Sequence, residues 1–157
     1  MEQPRIVVSV LWQELLDAHQ PRIVGGGGSC YLSLDGGVVV RGDLLDPAEV
    51  DAQVAARRLL PIPEKTMARC FQQRRAFAES LCDPDLRWEV QQALASDHPF
   101  AAFDRALDEV PIEAERWREE ERLADLDVLD RWLARAGVTA DPPASMTRTI
   151  IEFPRND

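Results

Sequence analysis

The chain has 157 residues, enough for one domain that removes about 70% of its unfolded surface from water. With 45% hydrophobic and 29% charged residues it is too apolar to stay a disordered polyampholyte. Its 18 Lys plus Arg against 28 Asp plus Glu leave a net charge of −10, which repels phosphate backbones and anionic lipid and so disfavours general nucleic-acid or membrane binding.

The first segment, RIVVSVLWQELLDAH, passes from a β-branched run into a helical pattern that puts Val8, Leu11, Leu15 and Ala18 on one face. Its start, with Glu2 and Pro4, lacks the basic region and long apolar core of a secretion signal, and no apolar run approaches the ~20 residues of a membrane helix. The glycines Gly25 to Gly28 are followed by Ser29 and Cys30 rather than by Gly-Lys-Ser/Thr, so they read as a flexible connection and not as a phosphate loop. CYLSLDGGVVV is a hairpin signal: Tyr31 to Leu34 and Val38 to Arg41 flank Asp35-Gly36-Gly37, and Cys30, Leu32 and Leu34 alternate onto one covered face.

Helices follow, punctuated by proline. Asp46-Pro47 and Asp83-Pro84 each offer a capping carboxylate followed by proline in the first turn. Asp97, ahead of His98 and Pro99, is expected to cap a further helix in the same way. Apolar stripes run through Met67, Cys70, Phe71, Phe77, Ala78 and Leu81, with Arg74 at a gap, then Leu86, Val90, Ala93 and Leu94, then Phe100, Phe103 and Leu107. A last segment, Ile112 to Ala136, has a charged first half anchored by Trp117, readable as a separate turn, and a periodic second half at Leu126, Leu129 and Leu133. Gly137 suits a helix C-cap, and beyond it TADPPAS reads as a proline linker and TRTIIEF as a strand-prone tail. The expected fold is α+β: a helical bundle with a small N-terminal antiparallel β element over residues 1–138, then a proline-containing tail, 139–157, able to add a strand.

The candidates for chemistry each have a plainer explanation. His98 fits a base or metal ligand beside Asp97 or Asp104, but one histidine without a second ligand fits a helix start better. His19 reads as a cationic residue at a helix end. Cys30, Cys70 and Cys82 form neither a CxxC nor a zinc-like spacing, so they read as reduced core thiols of a cytoplasmic protein, and a Cys82–His98 pair has no local support. Glu119, Glu120, Glu121, Asp125 and Asp127 alternate with Arg116, Arg118 and Arg122, which indicates helical ion pairs rather than a chelating site. The local basic excess is Arg57, Arg58, Lys65, Arg69, Arg74 and Arg75. Trp88 falls off its helix's apolar stripe and is the best candidate for an exposed contact.

Taken in order, YLSLDGGVVV, LPIP at 60–63, FAESLCDPDLRWEVQQAL, HPFAAFDRALDEV, ERWREEE and DRWLARAGV resemble an uncharacterised bacterial family known as UPF0158. The resemblance covers roughly residues 30 to 138 and implies architecture more than activity. The chain departs from it in having Ala101 and Ala102 where the family carries basic residues between paired phenylalanines. The expected function is a non-catalytic cytoplasmic interaction or regulatory module that presents an acidic face to a protein partner. Trp88, Glu119, Glu120 and Glu121 are its expected contacts, and no catalytic residue, cofactor, metal or membrane is expected. The alternative is a nucleic-acid-associated factor using Arg57, Arg58, Arg69, Arg74 and Arg75; an enzyme built on His98 stands third.

Overall fold

A computed structural model of the chain describes residues 6–21 and 29–140. In chain order its elements are β1 Ile6–Val8, α1 Trp12–His19, β2 Cys30–Ser33, β3 Val39–Arg41, a 3-10 turn Gly42–Leu44, α2 Pro47–Ala55 and β4 Leu59–Pro61. There follow α3 Met67–Ser80, α4 Pro84–Leu94, α5 Pro99–Asp108, α6 Pro111–Arg135 and β5 Val138–Ala140. The fold is α+β and mainly helical.

β2 is the middle strand of an antiparallel sheet, with Leu32 opposite Val39 of β3 on one side and Leu60 of β4 on the other. Cys30 and Leu32 are buried while Tyr31 and Ser33 are half-buried, the alternation a one-faced strand requires. The LPIP stretch supplies β4, an edge strand in which Pro61 is tolerated because one side of it needs no ladder. Gly37 has φ +70, and a Cβ there would sit 1.9 Å from the Ser9 carbonyl oxygen, so only glycine lets the hairpin turn lie on the segment after β1. β1 itself pairs in parallel with β5, Val8 opposite Ala140. Thr139 and Ala140, assigned by sequence to the tail, therefore belong to a strand that joins the two ends of the described chain. The TRTIIEF stretch and Gly25 to Gly28 lie outside the described residues.

Asp46 accepts a hydrogen bond from the Ala48 amide at 2.9 Å, and Asp83 accepts from Asp85 at 2.9 Å and Leu86 at 3.4 Å, as the Asp-Pro signals required. Asp83→Ala is expected to lower stability by about 1 kcal/mol in urea denaturation, because the first amides of α4 lose their acceptor. α5 departs from expectation: its N-cap is His98, not Asp97, and no side chain caps it, although Pro99 does open the first turn. α6 is one continuous helix of 25 residues rather than two pieces, and it ends at Gly137 with φ +74. The turn after α2 is closed by amides of Arg57 and Arg58 on the carbonyls of Val54 and Gln53, with Arg57 held at φ 57 where glycine is the usual occupant.

Most of the buried apolar side chains fall in two clusters. One joins α1, the sheet and the second half of α6 through Leu15, Leu16, Leu32, Leu126, Leu129 and Leu133. The other joins α3, α4, α5 and the first half of α6 through Phe77, Val90, Phe103, Leu107, Ala114 and Trp117. In α1 the buried face is Trp12, Leu15, Leu16 and Ala18, and Leu11, expected on that face, is exposed because it precedes the helix. Met67 is also exposed, at the first residue of α3, and Phe71 is only half-buried.

Candidate functional site

Between the two apolar clusters lies a polar joint. Lys65, the chain's only lysine, stands just before α3, and its side chain is wholly buried. Its three ammonium donors meet Asp125 Oδ2 at 2.8 Å, Gln73 Oε1 at 3.1 Å and Glu121 Oε2 at 3.4 Å. Asp125, 1% exposed, also accepts from Gln73 Nε2 at 3.1 Å and Gln20 Nε2 at 3.0 Å. His19, read as a helix-end residue, is the last residue of α1 and is buried at 2% exposure: its Nδ1 hydrogen-bonds the Pro63 carbonyl, and its Nε2 lies 4.0 Å from Asp125 Oδ1. With its Nζ directed at acceptors on both helices, Lys65 ties α3 and α6 together.

Burial alone would push the Asp125 carboxyl up, but hydrogen bonds from Lys65, Gln20 and Gln73, with the Lys65 charge, outweigh it and hold the group below its ordinary range. A carboxyl depressed in the folded state contributes stability above its unfolded value, and this is lost as pH falls through the folded one. The melting temperature is therefore expected to fall more steeply below about pH 4 in the wild type than in a Lys65→Met, Asp125→Leu double variant. Parallel curves would assign acid sensitivity to other carboxylates.

Sequence periodicity held a signal for this joint. Ala114, Trp117, Glu121 and Asp125 follow one another at helical spacing, so two acids stand on the seam that is apolar before and after them. A seam carboxylate needs a buried cation, and the lone lysine of an otherwise arginine-based chain is that cation.

The second apolar cluster contains a ring box. Phe77, Phe103 and Trp117 meet edge to face at 5.1–6.2 Å, and the Arg74 guanidinium lies 4.3 Å from Phe100, 5.4 Å from Phe103 and 5.2 Å from Trp117. Arg74 is thus the cation that fills the gap in its helix's stripe. It also lines a cleft of about 330 Å³ with Asp104, Asp108, Arg118 and Glu121. There burial foremost, with the Asp108 charge, raises the Asp104 carboxyl above its ordinary range, against the pull of Arg74 and Arg118.

Of the basic residues, Lys65 and Arg74 are taken inward and Arg69 is half-buried, while the side chains of Arg57, Arg58 and Arg75 are exposed, Arg75 lying 5.8 Å over Phe71. Of the acids, Glu119 pairs with Arg122 at 3.1 Å and Glu120 with Arg116 at 2.9 Å, while Glu121 turns toward Lys65. His98 is exposed. Cys30 and Cys70 are buried thiols, but Cys82 is exposed, since it sits outside the first turn of α4 rather than on a packed face. Among the described residues no three His, Cys, Asp or Glu side chains gather as a metal site, and no helix is long and apolar enough to cross a membrane.

Trp88 stands apart from all of this. It is 62% exposed on α4, while Leu86 and Val90 of the same helix are buried. Neither a protein-family model, nor a curated protein, nor a solved structure matches the chain.

Proposed function

We propose that the chain is a non-catalytic interaction module whose contact surface is centred on Trp88. The observation that carries this reading is the 62% exposure of Trp88 on a capped helix whose other large apolar side chains, Leu86, Val90 and Leu94, pack into the core. Aromatic residues of this kind anchor partner surfaces because they contribute large area at small rotamer cost. The exposed Glu119 and Glu120 add to the negative field, although each is already paired with an arginine of its own helix. Of the five arginines of the nucleic-acid alternative, Arg74 is packed against Phe100, Phe103 and Trp117, whereas Arg57, Arg58 and Arg75 are exposed.

Two further parts belong to the same proposal. A reducing cytoplasmic setting is supported by three unpaired thiols, one of them exposed. Kinship with UPF0158 is supported by the order of the matching stretches from Tyr31 to Val138. The test is comparative capture from the native host. A protein retained by the wild type is expected to be lost with Trp88→Ala and kept with Ile112→Ala, a second exposed apolar residue. Identical retention by wild type and Trp88→Ala would overturn the proposal.

A further inference from the structure

We infer that the Trp88 surface takes an arginine side chain from a basic protein segment. The inference rests on the interaction reading above and names the partner's chemistry. On a helix that turns about 100° per residue, Trp88 points away from Leu86, Val90 and Leu94, and Asp85, Glu89 and Gln92 lie on its side. All four of these outward residues are exposed. Neither the Asp85 nor the Glu89 carboxylate forms an ion pair with a described residue, in contrast to Glu119 and Glu120 on α6. The nearest arginine in sequence, Arg87, points its Nε to the Leu81 carbonyl at 3.1 Å.

An indole face flanked by two uncompensated carboxylates selects among occupants. An apolar partner would have to strip water from both acids without pairing them. A second copy of this chain, also at −10, is repelled, and so is nucleic acid. A cation satisfies all three groups together: it is attracted to the ring face, and the carboxylates supply its counter-charge. Between the two basic side chains, the planar guanidinium fits better, because it stacks flat on the indole while its fork reaches the flanking oxygens.

The experiment titrates the full-length, isotope-labelled chain with a synthetic oligoarginine peptide and follows amide and indole signals, with oligolysine and oligoglutamate peptides for comparison. Saturable shifts are expected at the Trp88 indole N–H and at Asp85, Glu89 and Gln92, with arginine binding more tightly than lysine and glutamate not binding. Trp88→Leu is expected to weaken oligoarginine binding about two- to fivefold at unchanged salt. A second variant, Asp85→Asn with Glu89→Gln, retains the indole and is expected to weaken it as well. Shifts spread evenly over acidic residues of α6, with no loss in Trp88→Leu, would overturn the inference, as would a dimer that Trp88→Leu dissociates. A captured partner that depends on Trp88 but is not displaced by oligoarginine would sink the arginine assignment alone and leave the interaction reading standing. Capture that is indifferent to Trp88 would remove the reading on which the inference rests.

Discussion

Asp125→Leu is expected to lower the unfolding free energy by about 3–5 kcal/mol, near the lower end because Gln73 and Glu121 still face the ammonium. The loss comes from the partner left behind: the wholly buried Lys65 side chain no longer has the carboxylate that faces it at 2.8 Å. Lys65→Met is expected to cost a similar amount for the mirror reason, leaving Asp125 with two amide donors in place of a cation. The double variant, Lys65→Met with Asp125→Leu, removes both charges at once and fills the space with apolar atoms. It is expected to recover most of the loss, because a buried ion pair repays little more than its own desolvation. Urea denaturation of the four proteins measures the coupling directly. Additive losses would show that the two side chains do not act as a unit, and the polar joint would then have no energetic reality. If a single variant is too unstable to purify, recovery of a folded double variant still decides the matter.

The second large effect is expected at Phe103. Its ring is fully buried, 5.1 Å from Trp117 and 6.2 Å from Phe77, with the Arg74 guanidinium above it. Phe103→Ala removes the centre of the second cluster and is expected to cost about 3–5 kcal/mol, which lowers the melting temperature by roughly 6–20 °C. Phe103→Leu should cost less, since it keeps much of the volume. His98→Ala, five residues earlier on the same helix approach, is expected to change stability by no more than about 0.5 kcal/mol, because its side chain is exposed and caps nothing. Thermal melting of the three variants checks all of this. A His98 effect as large as that of Phe103 would mean that the DHPFAAF stretch is organised around the imidazole instead of the rings.

Local signals in the sequence carried much of the helical half. The Asp46 and Asp83 caps, the proline that opens α5, the glycine that closes α6 and the stripes through Phe77, Val90 and Phe103 all depend on residues within a turn or two of one another. The β2–β3 hairpin was legible for the same reason, since its turn and its alternation are contiguous. The Asp97 cap failed because a carboxylate one residue from the right place is indistinguishable in a pattern, while the backbone geometry that selects His98 is not written there.

What only the tertiary structure decided are pairings between distant residues. β1 with β5 joins residues more than a hundred positions apart, and β4 joins the sheet through Leu60 opposite Leu32. Lys65 meeting Asp125, and His19 meeting Pro63, likewise bring together groups that no local periodicity relates. Such contacts depend on where whole elements pack, and a one-dimensional pattern records the face a residue occupies but not the element that covers it. Local pattern therefore put Lys65 in a basic excess and His19 at a helix end, and told nothing of what covers either. The fold placed both inside, where the Lys65 Nζ and the His19 Nδ1 find partners only because another part of the chain arrives beside them.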